Sequence, residues 1–145
     1  MYYTWAIVGR IWGLILVPLM LWRGGPVERL GAAIYALAWG ATFLLQDRSG
    51  TGPGMTVLII DGMMALAFIV LSVRSRKLWT VFAAGCAINA VLSHLAGLLG
   101  RIDIAAYVTA ITMWGGYGML ASLTAGLISV EWTKRKRAKA QSAAS

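Results

Sequence analysis

An acidic side chain inside an apolar run is the feature of this sequence most suited to chemistry. Asp61 lies within the run at residues 55–73. A charged side chain at such a position costs about 3 kcal/mol to place in a membrane, so it needs a partner. Two basic side chains in other apolar runs, Arg10 and His94, are the candidates. A guanidinium, a carboxylate and an imidazole at one depth would either hold helices together or pass protons.

The positions of these side chains within their runs predict that they share a depth. Arg10 and Asp61 follow the starts of two runs that enter a membrane from the same side, and His94 precedes the end of a run that leaves on that side. Each lies about two turns, or roughly 9 Å, below that surface. Asn89 and Thr112 fall at a similar level. The predicted polar layer therefore contains Arg10, Asp61, His94, Asn89 and Thr112.

Several interpretations of this layer stay open. It could be a structural lock between helices, or a pocket that carries ions or a substrate. His94 as a haem ligand is a minor alternative, because a bis-histidine site would need a second chain. We expect no metal or other cofactor, since no spacing of His, Cys and Asp supplies a full coordination shell. We also expect no catalytic residue, because Ser93 points about 100° away from His94 on a helix and cannot act with it.

Composition places the chain among integral membrane proteins. Of its 145 residues, 59% are hydrophobic and 12% are charged, whereas soluble domains are about 25% charged. The apolar runs are continuous and not alternating, which predicts helices. We predict an all-α, five-helix transmembrane bundle with short loops, forming one domain at residues 1–133. Its spans are predicted at residues 3–22, 27–46, 55–73, 78–99 and 102–130, with a basic cytoplasmic tail at 134–145.

The distribution of basic residues predicts the orientation. With the N-terminus outside, the inner side carries ten Lys and Arg, and the outer side carries Arg48 and Arg101. Cytoplasmic loops hold such an excess, so we predict an outer N-terminus and a cytoplasmic C-terminus. The net charge of +8 is thereby explained without nucleic acid. The tail residues assigned to topology and lipid headgroups are Lys134, Arg135, Lys136, Arg137 and Lys139.

Small and aromatic residues give further expectations. Glycines let helix backbones approach closely, and six are predicted at helix contacts: Gly9, Gly13, Gly85, Gly97, Gly118 and Gly126. Four aromatic residues lie far from the predicted interfaces, where they either fill the core or line a pocket for a lipid or quinone: Trp12, Trp39, Trp114 and Tyr117. Trp79 lies near a span end and is predicted to be an interfacial anchor.

These features favour a non-enzymatic function. We expect a small accessory or structural subunit of a membrane, such as the bacterial inner membrane, that associates with other membrane proteins as a homo- or hetero-oligomer. The alternative is a small carrier or channel that uses the Arg10, Asp61 and His94 layer. A haem- or quinone-binding anchor is a minor alternative. Another is a holin-like protein, because the basic segment after Lys134 resembles the charged C-terminal tail of phage holins.

Overall fold

Five helices make up the described chain. The computed structural model describes residues 2–45 and 54–143, and most of the predicted outer loop lies outside these ranges. The helices are α1 (Tyr2–Arg23), α2 (Pro26–Leu45), α3 (Met55–Ser75), α4 (Leu78–Leu98) and α5 (Ile104–Ser142). The first four begin and end within two residues of the predicted ranges. The fifth continues through the basic segment to Ser142, beyond the predicted end of the span at residue 130.

The all-helical prediction is confirmed over the described residues, and three of the helices there have the length and hydropathy of membrane spans. Within those ranges α3, α4 and α5 are long and apolar enough to cross a membrane. α1 and α2 are not among these three helices, and α2 carries the charged residues Glu28 and Arg29 in its first turn. A bundle with five spans therefore stays a prediction.

The helices form a closed ring in which each packs on the next along the chain and α5 returns to α1. The centre is apolar, and every helix contributes a fully buried side chain to it. These are Met20, Ala32, Phe68, Ala83 and Leu123. Short connections enforce antiparallel neighbours: Arg76, in the left-handed region at φ 53°, lets the chain turn from α3 into α4.

The turn between α1 and α2 is built by glycine, proline and arginine. The Gly24 amide donates to the Met20 carbonyl over 2.8 Å and closes α1. Pro26 then opens α2, where its missing amide costs nothing. The Arg29 side chain donates back to the carbonyls of Gly24 and Trp22, at 3.0 and 3.2 Å. A cation thus satisfies carbonyls at the C-terminal end of α1, where the helix dipole favours positive charge.

A π-helical segment interrupts α5 from Thr112 to Gly118. It covers the glycine-rich stretch of α5. A Cβ built on Gly118 would lie 2.8 Å from the Sγ atom of Cys86, and one on Gly115 would lie 3.5 Å from the Ala90 Cβ. The glycines therefore let α4 pack closely on this wider turn.

The Trp79 ring packs tightly between Gly31 and Gly126. A Cβ on Gly31 would lie 2.6 Å from the Trp79 ring, and a Cβ on Gly126 would lie 2.8 Å from it. The indole is only 5% exposed, so Trp79 is a core residue and the anchor prediction was wrong. The ring joins α2, α4 and α5.

We expect Gly31→Ala to lower the free energy of unfolding by about 2 kcal/mol, a typical cost of overpacking a core. Trp79 cannot yield easily, because its indole nitrogen is held by a hydrogen bond to Glu28. Gly62→Ala is the matched control, since the added methyl group meets no atom within 4 Å. It should leave stability unchanged or raise it through helix propensity. Equilibrium unfolding in detergent measures the stability of both variants. Equal effects of the two substitutions would contradict the tight packing of Trp79 on Gly31.

Candidate functional site

Three side chains from three helices meet around His94, and we call Asp61, His94 and Tyr107 the histidine cluster. The Nε2 atom of His94 lies 2.9 Å from the Oδ2 atom of Asp61, and its Nδ1 atom lies 2.8 Å from the Tyr107 hydroxyl. His94 is 1% exposed and the Asp61 side chain is 14% exposed. The cluster joins α3, α4 and α5 near one end of the bundle.

The chemistry of the partners sets the protonation pattern. A carboxylate can only accept, so Nε2–H of His94 donates to Asp61. In the neutral ring Nδ1 then accepts from the Tyr107 hydroxyl, and in the charged ring Nδ1–H donates to the Tyr107 oxygen. Both states satisfy every contact. Because both ring nitrogens are engaged, ligation of an iron by His94 would require one of these hydrogen bonds to break.

Arg10 does not join this cluster. Its side chain is exposed on α1, and within the described ranges the partner of Asp61 is His94 and no acid pairs with Arg10. Predicted depth alone could not decide this, because a helix position also has a direction around the axis. Arg10 lies on the outer face of α1, the face turned away from the bundle, beside Ile7 and Ile11. Of the two candidate partners of Asp61, His94 is therefore the one that it contacts.

The other two members of the predicted polar layer are Asn89 and Thr112. The Asn89 side chain donates to the Gly85 carbonyl one turn earlier, over 2.9 Å. Thr112 is partly buried and begins the π-helical segment. Neither belongs to the histidine cluster. Tyr107 does belong, and the sequence reasoning missed it, although it follows the N-cap of α5 by one turn and so reaches the depth of His94.

Two of the four aromatic residues assigned to an apolar pocket are in ring contact with each other. Trp12 packs against Tyr117, with ring centroids 6.2 Å apart, and its indole donates to Thr124 over 3.2 Å. Trp39 stacks on Tyr35. The Trp114 side chain is 44% exposed. Trp12 and Tyr117 therefore join α1 to α5, and the Trp39 ring also faces α1, 3.9 Å from where a Cβ on Gly13 would lie.

The predicted packing glycines divide into two groups. A Cβ on Gly9 would approach Tyr117 at 3.8 Å, and one on Gly13 would approach Leu120 at 3.6 Å. Gly118 and Gly126 are tighter still, as described above. Gly85 has open space where a Cβ would lie, and Gly97 is partly buried. Four of the six therefore mark close helix contacts. Gly31 is a fifth such site, and it was not among the six predicted glycines.

A second polar cluster, Glu28, Lys77 and Trp79, lies at the other end of the bundle, and we call it the glutamate cluster. Glu28 is fully buried. Its Oε1 atom accepts from Lys77 over 2.6 Å and from the Trp79 indole over 3.2 Å. Its buried Oε2 atom has no hydrogen-bond partner in the described part of the chain. These contacts tie the start of α2 to the start of α4.

This second cluster was hard to predict from the sequence. Glu28 stands in the first turn of α2, a place where acids are normally explained by the helix dipole. Lys77 belongs to a basic run that reads as a topology signal. A signal was nevertheless present, because Gly24 and Gly25 remove side-chain bulk next to Glu28. A Cβ on Gly25 would lie 2.8 Å from the Oε2 atom.

Apolar side chains separate the two clusters. From Asp61 toward the end of α3, the buried residues are Met64, Ala65, Phe68 and Leu71. From His94 toward the start of α4, alanines fill the buried positions until Thr80 is reached. Across the described helices, the two clusters are thus separate cross-links and not parts of one buried polar chain. No three His, Cys, Asp or Glu side chains in those helices converge as metal ligands would.

Comparison with known proteins adds no relative. No family model matches the chain, and neither a curated protein nor a solved structure matches it.

Proposed function

We propose that this chain is a non-enzymatic accessory subunit, a five-span membrane bundle that binds another membrane protein through the outer face of α1. The single observation that carries the proposal is the exposed Arg10 on an otherwise apolar helix face. Ile7, Ile11 and Leu14 beside it are 51%, 52% and 64% exposed. A cation at this depth in lipid is costly without a partner.

The membrane setting is supported by the surface of the bundle. Large apolar side chains are exposed on helices beyond the three most apolar ones, as at Leu37 and Leu44 of α2, which are 74% and 80% exposed. Lipid would cover such side chains at no hydrophobic cost. The basic residues also gather at one end, where Lys134 donates to the Arg23 carbonyl over 2.6 Å. This end, here called the basic end, is proposed to face the cytoplasm.

The charge of Arg10 indicates the kind of partner. Among the carboxylates of the described helices, Asp61 is held by His94. Glu28 is buried at the basic end, and Asp103 caps α5 by accepting from the Ala106 amide over 2.8 Å. A second copy of the described helices would therefore offer no unengaged carboxylate at the depth of Arg10. The proposed partner is a different polypeptide with an Asp or Glu in a membrane-spanning helix.

A carrier function for the histidine cluster has less support. A transport path needs polar groups or water across the full thickness of the membrane. On α3 and α4 the buried residues between the histidine and glutamate clusters are apolar, and on α5 the buried Ser122 hydroxyl donates to the Gly118 carbonyl of its own helix. The histidine cluster is accordingly proposed to be a lock that holds α3, α4 and α5 in place, so that the α1 face is presented on a rigid support.

Purification from native membranes in a mild detergent tests the proposal. We expect the wild-type chain to fractionate with membranes and to retain a partner, and Arg10→Leu to lose at least nine-tenths of it, because a buried charge pair left with one member costs about 3 kcal/mol or more. Arg10→Lys should retain the partner in part. Arg101→Leu, the same change in the loop before α5, is the matched control and should retain it fully.

Two results would contradict the proposal. A chain found in the soluble fraction would contradict the membrane setting. Retention of the same partner by Arg10→Leu would mean that Arg10 reaches the lipid headgroups instead, and the interface on α1 would then be wrong.

A further inference from the structure

A groove at the basic end combines cations with apolar walls. It lies between the start of α4 and the C-terminal half of α5 and has a volume of about 620 Å³. Lys77, Lys134 and Arg137 line its polar part, and Phe82 and Ala125 line its apolar part. The polar and apolar residues follow one another along the helices, so the groove changes from charged to apolar over a few turns.

The helix period explains which tail residues face this groove. Val130, Thr133, Lys134 and Arg137 are spaced by three or four residues and share one face of α5. Arg135 and Lys136 lie on other faces, and the Lys136 ammonium sits 4.0 Å from the centroid of the Trp132 ring. The basic segment is thus divided into residues that line the groove and residues that do not.

The cations that line the groove keep hydrogen-bonding capacity. The Lys77 ammonium donates to Glu28 and remains 39% exposed. The Lys134 ammonium donates to the Arg23 carbonyl and contacts Glu131 at 3.4 Å, and its side chain remains 55% exposed. An ammonium has three donors. One or two therefore remain on each lysine, beside the exposed guanidinium of Arg137.

We propose that this groove binds one acidic phospholipid, with the phosphate on Lys77, Lys134 and Arg137 and an acyl chain along Phe82 and Ala125. The inference rests on the proposed membrane setting but not on the proposed partner of Arg10. Charge complementarity selects an anionic headgroup. The apolar wall selects a lipid over a free phosphate ion, because an ion would leave that wall uncovered. The bound lipid links the start of α4 to the end of α5 at the basic end.

Native mass spectrometry of the full-length chain in a non-ionic detergent tests this site. The probes are phosphatidylglycerol and phosphatidylcholine with identical acyl chains. We expect one phosphatidylglycerol to be retained in preference to phosphatidylcholine. Lys134→Gln with Arg137→Gln should weaken its binding roughly 30-fold, from about 1 kcal/mol for each basic residue near a lipid surface. Arg135→Gln with Lys136→Gln removes the same charge from the same segment and should weaken it little.

Each contrary outcome has a defined meaning. Equal losses in the two double variants, or no loss in either, would contradict a site in the groove. Displacement of the lipid by an excess of inorganic phosphate would contradict the assignment to a lipid. Should Lys134→Gln disturb the fold through its contact with α1, Arg137→Gln against Arg135→Gln repeats the comparison. Arg10 lies on the outer face of α1, whereas the groove lies between α4 and α5. Loss of the partner subunit should therefore leave lipid binding unchanged.

Discussion

Lys77→Met should lower the free energy of unfolding by about 3 kcal/mol, because it leaves the Glu28 carboxylate buried without its cation. Glu28 is fully buried, and Lys77 lies 2.6 Å from it while remaining 39% exposed. That exposure places the effect at the lower end of the cost for a broken buried pair. The Trp79 indole still donates to Glu28 after the change, but a neutral donor cannot replace a charge.

A second substitution distinguishes the pair from the loss of a surface lysine. Glu28→Gln in the same chain removes the buried charge and keeps an acceptor for Trp79, so the double variant should recover at least half of the loss. Arg74→Met is the matched control, since Arg74 is exposed near the end of α3, and it should change stability by less than about 0.5 kcal/mol. Equilibrium unfolding in detergent gives all four values. A double variant less stable than Lys77→Met would contradict the glutamate cluster as a charge pair.

His94→Leu should destabilise the fold by a similar amount, about 3 kcal/mol. The imidazole is 1% exposed and contacts both Asp61 and Tyr107, so its loss leaves a carboxylate without a partner and a hydroxyl without an acceptor. His94→Gln keeps an amide donor for Asp61 and should cost about 1 kcal/mol. Tyr107→Phe removes one hydroxyl and should cost about 1 kcal/mol.

The pair can be isolated by removing both members. Asp61→Leu combined with His94→Leu leaves neither charge nor unpaired imidazole, and we expect it to be more stable than His94→Leu alone. Unfolding midpoints of the four proteins in one detergent measure the coupling. Simple addition of the two single losses would show that Asp61 and His94 do not stabilise each other.

The sequence predicts the positions of the helices well, because residues that favour helix ends stand at their boundaries. Gly24 and Pro26 close one helix and open the next, and Asp103 marks the start of α5. The apolar runs between such signals are long and continuous, so helix ends could be placed within two residues for α1 to α4. The end of α5 was less clear, since Lys and Arg are good helix formers and carry the helix through the basic segment.

The sequence predicts the candidate sites only in part. Position along a helix predicts the depth of a side chain, but a contact also requires that the side chain points toward its partner around the helix axis. Depth placed Asp61 and His94 together correctly in space, but it also placed Arg10 with them. The burial of Glu28 and Trp79 was not predicted, because it depends on packing between helices that are distant in sequence. Close approach at Gly31 and Gly126 creates that burial, and no single helix carries the pattern.

Site-specific photocrosslinking in cells tests the central claim, that α1 presents Arg10 to another membrane protein. A photoreactive phenylalanine analogue at Ile11, one residue from Arg10 and 52% exposed, is compared with the same analogue at Leu66 of α3, which is 67% exposed. We predict a single protein adduct from Ile11 that disappears when Arg10→Leu is added, and no such adduct from Leu66. Protein adducts of equal yield from both positions, or an Ile11 adduct that survives Arg10→Leu, would contradict it.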